Sequence, residues 1–392
     1  MKSDKLFRKI IMSEEKFLIK QITNADWEKE LELVGFDKSY RHKAVDKLQF
    51  KNLKIYDLST PQANILKQIA LSVGADCATH RDVITGKQSF SDVILSGSFA
   101  QLKKIAEKIE HQPFSLFALG QEIETQLKQK NNKTKIVGIL NITDNSFSDG
   151  GKYNSTESAC VHFEELINDG ADIIDIGAES TKPNTPAVPS DKQLEKILPV
   201  LEYIKKHNFD IPISIDTRSS IVAEECLKNG ASIINDVSGL KYDPRIAKIV
   251  SKYGATLVIQ HSLGNEKNMS GDCEYESVVD DVFYDLSRQI KRAKTEGVED
   301  IIIDPGIGFD KKLEDNFRII NRIEDFYSLG YPVMTGISRK SLLNMKESSN
   351  EQKDIYTLAL NTLAIEHKVD YIRVHNVKLH KKLTEIYLNE LK

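Results

Sequence analysis

The sequence lacks two features that would direct it to a membrane or to nucleic acid. No apolar run reaches about 18 residues, so we expect no transmembrane helix. The 54 Lys and Arg residues face 58 Asp and Glu, which gives a net charge of −4 and no overall basic field. We therefore expect neither a membrane partner nor a nucleic-acid partner.

Cysteines are few and are not spaced as metal or redox motifs require. Cys77, Cys160, Cys226 and Cys273 show no CxxC or CxxH pattern. The first residues place charges on both sides of a short apolar pair, which is not the pattern of a secretory signal. We expect reduced, mostly buried thiols without a metal or redox role, in a cytoplasmic protein.

The chain is too long for one average domain. The polar run 128–134 has the composition of a linker, so we expect an N-terminal domain over residues 1–130 and a second domain over 134–392. Residues 61–71 have a helical pattern, residues 93–95 form a short strand candidate, and Ser98 precedes an amphipathic helix. These patterns predict a small α/β or α+β domain of unassigned role, although residues 1–60 give little that can be placed.

From residue 134 onwards one pattern recurs: an apolar strand, polar residues, a helix and a closing glycine. The strands are expected at 136–140, 173–176, 213–215, 232–234, 256–259, 301–303, 332–334 and 371–374. Ser190 is a candidate cap for one of the amphipathic helices. Eight strands that alternate with helices over about 260 residues predict a (β/α)8 TIM barrel. The alternative, a doubly wound sheet, usually has a G-x-G-x-x-G loop after its first strand, which this sequence lacks.

Every expected strand ends in polar or charged residues, and in a barrel these ends meet at the face that carries the chemistry. One group would suit a heterocycle rich in hydrogen-bond donors and acceptors: Asp216, Asn235, Asp304 and Lys340. A second group would suit an anion with Mg²⁺: Asn141, Thr181, Arg373 and His375. The amide of Asn141 is a weak ligand alone, so the ion would also need phosphate oxygens and water.

Ordinary structural roles compete with these assignments. Asp236 is the best candidate for a turn or helix-cap residue, and Ser338 could also cap a helix. His261 has the alternative of a core histidine, and Arg339 that of a structural ion pair. A structural role at each position does not explain why all eight strand ends are polar.

These motifs resemble those of dihydropteroate synthases. The resemblance covers roughly residues 135–380, and its motifs occur in the family's order. They are ILNIT (139–143) with SFSDGG (146–151), GADIIDIGAEST (170–181), SIDT (214–217), INDVSG (234–239), DPGIGF (304–309), SRKS (338–341) and RVH (373–375).

The resemblance implies a TIM-barrel transferase of folate biosynthesis. It would join 4-aminobenzoate to 6-hydroxymethyl-7,8-dihydropterin diphosphate, giving 7,8-dihydropteroate and diphosphate, with Mg²⁺ as cofactor. It also implies a homodimer and a sulfonamide target. We expect an SN1-like substitution, because diphosphate is a good leaving group once its charge is neutralised.

The resemblance also assigns roles to individual positions. Asp304, Lys340, Asn141 and Arg373 would be catalytic, and Asn141 would contact the metal. The pterin would be bound by Asp216, Asn235, Asp304, Gly336 and Lys340. The diphosphate would be bound by Thr181, Arg373 and His375, and the 4-aminobenzoate by Phe309, Ser338 and Pro183.

The sequence departs from the family at several loop positions. Asp144-Asn145 stands where Pro-Asp is usual, so the role of the first-loop carboxylate falls on Asp144 or on no residue. Lys182 replaces an arginine and cannot make the same bidentate anion contact. Two alternatives therefore stay open: a non-catalytic pterin-binding paralogue and a pterin-dependent methyltransferase.

Overall fold

The computed structural model describes residues 19–23, 25–128, 133–142, 155–179, 188–263, 274–340 and 348–390. The chain divides into two compact units, Met1–Gln129 and Lys130–Lys392. None of the helices in these described segments is long and apolar enough to cross a membrane. Cys77, Cys160 and Cys226 are buried and free, while Cys273 lies outside the described residues.

The N-terminal unit is an α+β domain built on a three-stranded antiparallel sheet in the order β1-β3-β2. The strands are β1 (Phe50–Ser59), β2 (Asp76–Thr79) and β3 (Phe90–Ser98). The helices are α1 (Trp27–Val34), α2 (Arg41–Leu48), α3 (Thr60–Ser72), α4 (Phe99–Ile109) and α5 (Leu116–Gln126), and a 3-10 turn covers Lys38–Tyr40.

Local sequence explains the two helices expected in this unit. Ser98 and Gln101 form a reciprocal cap at the start of α4: the Ser98 hydroxyl accepts from the Gln101 N–H, and the Gln101 side chain accepts from the Ser98 N–H. Leu102, Ile105 and Ile109 then bury one face of the helix. The first helix and the strand expected at 93–95 are also present, as α3 and β3. The long strand β1 was not expected from the sequence.

The second unit is a (β/α)8 barrel, as the sequence predicts, and the doubly wound alternative is wrong. Its strands are β4 (Lys135–Asn141), β5 (Ile173–Gly177), β6 (Ile213–Asp216), β7 (Ile233–Asp236), β8 (Thr256–Gln260), β9 (Ile301–Asp304), β10 (Met334–Thr335) and β11 (Tyr371–Val374). All pairs are parallel, in the order β10-β11-β4-β5-β6-β7-β8-β9. A bridge between Ile303 and Val333 links the two ends of this order.

Helices follow the strands around the barrel. They are α6 (Ser155–Asn168), α7 (Ser190–Lys206), α8 (Ser220–Lys228), α9 (Arg245–Tyr253), α10 (Val278–Thr295), α11 (Leu313–Asn321), α12 (Asn350–Glu366) and α13 (Val377–Glu390), with a 3-10 segment at Ile323–Leu329. The expected cap Ser190 is wrong: α7 begins at Ser190 after Pro189, and the Ser190 hydroxyl instead hydrogen-bonds that of Ser219 at 2.8 Å.

Successive strand residues point to opposite faces, and this alternation separates two layers of the barrel. One set of strand residues joins the helices in a large outer core, which includes Ile174, Ile234 and Ile303. The other set forms a separate inner cluster, the barrel floor: Val137, Ile173, Ile233, Val258, Ile302 and Met334. The residues two positions further along each strand must therefore face the barrel interior above this floor.

The outer core yields a stability prediction at Phe163. Its ring is fully buried and packs edge-on against Phe209, with ring centroids 5.2 Å apart. Phe163→Ala should lower the free energy of unfolding by about 3–5 kcal/mol, because a large buried ring leaves a cavity. Urea denaturation followed by circular dichroism measures this change.

Val161→Ala on the same helix is the matched control, since Val161 is 54% exposed. That variant should change the free energy of unfolding by no more than about 0.5 kcal/mol. Equal stability of the Phe163→Ala variant and the unsubstituted chain would contradict the packing described here.

Candidate active site

A polar layer lies directly above the barrel floor. Two residues beyond each floor residue stand Ile139, Asp175, Asn235, Gln260, Asp304 and Gly336. Tyr371 packs against the floor, and Arg373 is two residues further along the same strand. Arg373 therefore belongs to the same layer. Four ionisable or amide side chains and a guanidinium therefore face the interior, where buried polar groups need partners.

Arg373 is the centre of this layer. Its Nε donates to Asp175 Oδ2 at 2.6 Å, and one terminal nitrogen donates to Asp216 Oδ2 at 2.7 Å. Although burial opposes its charge, the two carboxylates hold the pKa of Arg373 above its ordinary value. Burial raises the pKa of Asp216 to about 7, against the lowering effect of Arg373. The residues that the sequence divides between a heterocycle site and an anion site are therefore joined in one network.

Asp175 is a member of this network that sequence reasoning did not select. It is fully buried, and its Oδ2 also accepts from Asn235 Nδ2 at 2.9 Å. The available signal was a carboxylate inside the apolar run Ile173–Gly177, at an inward-facing position. Such a residue is costly unless it is paired, so it identifies the strand position that lines the site.

Two buried acceptors in this layer have no hydrogen-bond partner within the described part of the chain. They are Asp175 Oδ1 and Asn235 Oδ1. An unsatisfied buried acceptor costs roughly 1–3 kcal/mol. A ligand that presents N–H donors would remove this cost for both residues.

Asp304 ends β9 with one oxygen bound to its own loop. Its Oδ1 accepts from the Gly306 N–H at 2.7 Å. Burial raises the pKa of Asp304, and the cationic Lys340, Lys311 and Arg373 oppose that rise. Its Oδ2 faces Gly336, where an added Cβ would lie 3.5 Å from that oxygen. The missing side chain of Gly336 leaves space beside the carboxylate.

Lys340 lies on the other side of that space. Its Nζ donates to the Ile307 carbonyl at 2.6 Å and lies 3.9 Å from the centroid of the Phe309 ring. The same Cβ position on Gly336 is 3.8 Å from Lys340 Nζ. Burial lowers the pKa of Lys340 to about 7, and Asp304 opposes this. Asp304, Gly336, Lys340 and Phe309 are thus brought together as neighbours.

Ser338 and His375 form a second pair at the barrel mouth. The Ser338 hydroxyl lies 2.9 Å from His375 Nδ1 and accepts from the His375 N–H at 3.1 Å. Burial lowers the pKa of His375 to about 3, with Arg339 and Arg373 adding to the effect. A neutral imidazole can offer a hydrogen bond to an anion, but it cannot offer a positive charge.

Two of the competing structural roles are confirmed. The Asp236 carboxylate accepts from the Ser238 N–H and hydroxyl and from the Leu240 N–H, so it closes a turn. Arg339 makes a two-nitrogen ion pair with Asp354 at 2.7 and 2.8 Å. Arg339 has a φ of 56° and stands between Ser338 and Lys340 in the sequence.

The loop residues assigned to the diphosphate and to the aminobenzoate cannot all be placed. Thr181 and Pro183 lie outside the described residues, as do the departures Asp144, Asn145 and Lys182. Asn141 is described and half-buried at the end of β4, with its Oδ1 beside Gly177. It therefore lies above the same inward-facing column as Val137 and Ile139.

The side chains near Asn141 show which metal ligands the described residues could offer to the expected Mg²⁺. Among the residues that the structure describes, no three His, Cys, Asp or Glu side chains are grouped to hold a metal ion. One amide oxygen fits an ion that takes its remaining ligands from phosphate oxygens and water. Within the described residues, Asn141 would therefore suit a Mg²⁺ that arrives with a phosphorylated substrate.

Known proteins of similar sequence include single-function and bifunctional enzymes. The dihydropteroate synthase of Bacillus subtilis is 42% identical over 249 residues, covering 63% of this chain and 85% of that protein. A probable bifunctional folylpolyglutamate synthase/dihydropteroate synthase of Haloferax volcanii is 32% identical over 343 residues. That match covers 81% of this chain, so it must include part of the N-terminal unit. This chain spans 40% of the length of the Haloferax protein.

The fold and a family profile agree with these sequence matches. A crystal structure of dihydropteroate synthase from Clostridium difficile, determined in the presence of pteroic acid, superposes with a TM-score of 0.62 at 36% identity. The superposition covers 68% of this chain and the whole of the Clostridium difficile chain. The family described as pterin binding enzyme matches residues 137–375, which contain the floor, the polar layer and the Ser338–His375 pair. The chain therefore belongs to the family of pterin-binding enzymes.

Proposed function

We propose that this chain is a dihydropteroate synthase. It condenses 4-aminobenzoate with 6-hydroxymethyl-7,8-dihydropterin diphosphate to give 7,8-dihydropteroate and diphosphate. The observation that carries the proposal is the buried polar layer above the barrel floor, with the unsatisfied acceptors Asp175 Oδ1 and Asn235 Oδ1. The similarity to named dihydropteroate synthases supports the same reaction.

The chemistry of a pterin matches this layer. Its pyrimidine edge carries an exocyclic amine and a ring N–H, both of which are donors that unsatisfied carbonyl and carboxylate oxygens require. Asn235 Oδ1, which has no partner within the described residues, would accept from this edge. Asp304 Oδ2 would also accept, beside the space left by Gly336. Lys340 would supply the complementary donor to a ring acceptor.

The reaction breaks the bond between the pterin methylene carbon and the diphosphate oxygen. The electron pair leaves with diphosphate, and the cationic methylene is stabilised by the ring and by the nearby Asp304 carboxylate. The aromatic amine nitrogen then bonds to the methylene and loses a proton. No protein nucleophile is required in this SN1-like sequence, so the site needs charge and exclusion of water.

Arg373 supports the departure of the anion. Asp175 and Asp216 occupy its Nε and one terminal nitrogen, and a guanidinium has five N–H donors in all. The remaining donors can face a phosphate, while neutral His375 adds a hydrogen bond. Mg²⁺ beside Asn141, when bound, would supply further neutralisation of the diphosphate charge.

Phe309 and Ser338 would border the second substrate. Phe309 is partly buried beside Lys340, and Ser338 is held by His375. Pro183 is assigned to the same edge by resemblance alone. Sulfonamide binding at this edge and the homodimer both stay predictions.

The two alternatives receive no specific support from the described residues. The non-catalytic paralogue was suggested by Asn145 and Lys182, which lie outside them. A pterin-dependent methyltransferase would not need the combination of Arg373 with the Ser338–His375 pair. Both stay as outcomes of the activity assay.

The direct test supplies purified full-length protein with the pterin diphosphate, 4-aminobenzoate and Mg²⁺. Release of diphosphate should require all three additions, and dihydropteroate should form in equal amount. Binding of the pterin without turnover would contradict the proposal and favour the non-catalytic paralogue.

Asp304→Asn tests the site within an active protein. The amide keeps the shape but loses the charge that would stabilise the cationic methylene, so kcat/KM should fall by about 10²–10³-fold. The measurement is the rate of diphosphate release at saturating and at limiting concentrations of the pterin diphosphate.

The matched control is Asp300→Asn, an exposed aspartate next to the opposite end of β9. Its kcat/KM should stay within about twofold of the unsubstituted protein, as expected for a surface substitution. An Asp304→Asn enzyme with an unchanged rate would remove Asp304 from the mechanism.

A further inference from the structure

The lysine that follows the DPGIGFD loop has no role in the mechanism above, yet it lies next to the polar layer. Lys311 Nζ donates to the Gly306 carbonyl at 2.9 Å and to the Phe309 carbonyl at 2.9 Å. It also lies 3.0 Å from His261 Nδ1. Burial lowers the pKa of Lys311 to about 7, with Asp310 and Asp304 opposing.

These contacts identify what the lysine can do. An ammonium group has three N–H donors and no acceptor. The two carbonyls and the imidazole of His261 take all three donors. Lys311 therefore has no donor left for a substrate, and its action must pass through the groups that it holds.

The first of these groups is Gly306, which connects Lys311 to Asp304. The Gly306 carbonyl accepts from Lys311, while the Gly306 N–H donates to Asp304 Oδ1 at 2.7 Å. Gly306 has a φ of +68°, and an added Cβ would lie 1.9 Å from the His261 carbonyl oxygen. The turn is thus pressed against the end of β8 and fixed from one side by Lys311. The position of the Asp304 carboxylate depends on this turn.

The second group is Phe309. Its carbonyl accepts from Lys311, and its ring lies under Lys340 Nζ at 3.9 Å from the centroid. One ammonium group therefore fixes the backbone at both ends of the loop that carries the Asp304 contact and the aromatic ring.

The third partner of Lys311, His261, is itself held in place by a backbone hydrogen bond. The backbone N–H of His261 donates to the Asp304 carbonyl at 2.8 Å, so His261 is attached to the end of β9. Burial lowers the pKa of His261 well below its ordinary value, with Lys311 and Lys241 adding to the effect. The neutral ring can accept a hydrogen bond from Lys311 at Nδ1, which gives this buried histidine, directly after β8, a polar partner.

We propose that Lys311 is a positioning residue, which sets Asp304 for the pterin and Phe309 for the 4-aminobenzoate at the same time. This inference rests on the proposed synthase function. A contribution to folding alone would lower stability and leave the affinities of the folded enzyme for its substrates unchanged. A positioning role must change the kinetic constants for both substrates.

The experiment compares full-length Lys311→Met and Lys312→Met enzymes. Methionine keeps most of the length of the lysine side chain but has no N–H donor, and Lys312 is the exposed neighbour. For each enzyme, KM for both substrates, kcat and the thermal midpoint are measured, together with the dissociation constant of the pterin from fluorescence.

Lys311→Met should lower kcat/KM by about 10²-fold, since displacement of reacting groups by about 1 Å has effects of this size. KM for the pterin and KM for 4-aminobenzoate should both rise, and the pterin dissociation constant should rise with them. Lys312→Met should stay within about twofold of the unsubstituted enzyme in every constant.

Lys311→Arg covers the case in which the methionine variant does not fold. Arginine retains N–H donors for the carbonyls, but its planar fork differs from the tetrahedral ammonium. Its kcat/KM should fall between those of the methionine variant and the unsubstituted enzyme, with both KM values raised.

Unchanged KM values for both substrates in the folded variants would overturn the positioning role and leave the proposed function standing. A rise in KM for only one substrate would also overturn it, because both groups are held by the same ammonium. An inactive unsubstituted protein would overturn the proposed function, and the positioning role with it.

Discussion

The interaction on which the site depends is the pair of hydrogen bonds that Arg373 donates to Asp175 and Asp216. These bonds cross the barrel interior from β11 to β5 and β6. In the sheet, β4 lies between β11 and β5. Buried charges of this kind are costly unless paired, and loss of one partner typically costs about 3–5 kcal/mol. The pairing allows a guanidinium to stay charged inside the barrel, where it can face an anionic group.

The alternation of side chains along the strands explains why this network lies where it does. Outward residues such as Ile174 and Ile303 pack against the helices, and inward residues such as Ile173 and Ile302 form the floor. The next inward position on these two strands is Asp175 or Asp304. A shift of one residue in strand register would move these carboxylates into the outer core, so folding and ligand binding impose the same register.

Much of this arrangement could be predicted from the sequence. Apolar runs ending in polar residues were sufficient for the eight strands, because parallel barrel strands are buried on both faces. Asn235 and Asp304 were recognisable at strand ends. Asp175 was not, because its neighbours in the run Ile173–Gly177 are apolar and the sequence does not show which face is inward until the register is known.

Other features depend on contacts between segments far apart in the chain. The roles of Lys311 and Arg339 follow from partners such as His261 and Asp354, 50 and 15 residues away. The strand β1 was missed because a register irregularity between Ile55 and Leu58 interrupts its alternation. Ser190 has a residue type that favours capping, yet its hydroxyl is used by Ser219.

The central claim is that the buried polar layer is a pterin-binding surface, in which Asn235 and Asp304 accept hydrogen bonds from the pterin. The most direct measurement is a crystal structure of the protein with 6-hydroxymethyl-7,8-dihydropterin bound. Donors of the pterin should lie about 2.7–3.2 Å from Asn235 Oδ1 and Asp304 Oδ2. A pterin bound outside the barrel mouth, or one that leaves both oxygens without a ligand donor, would contradict the account.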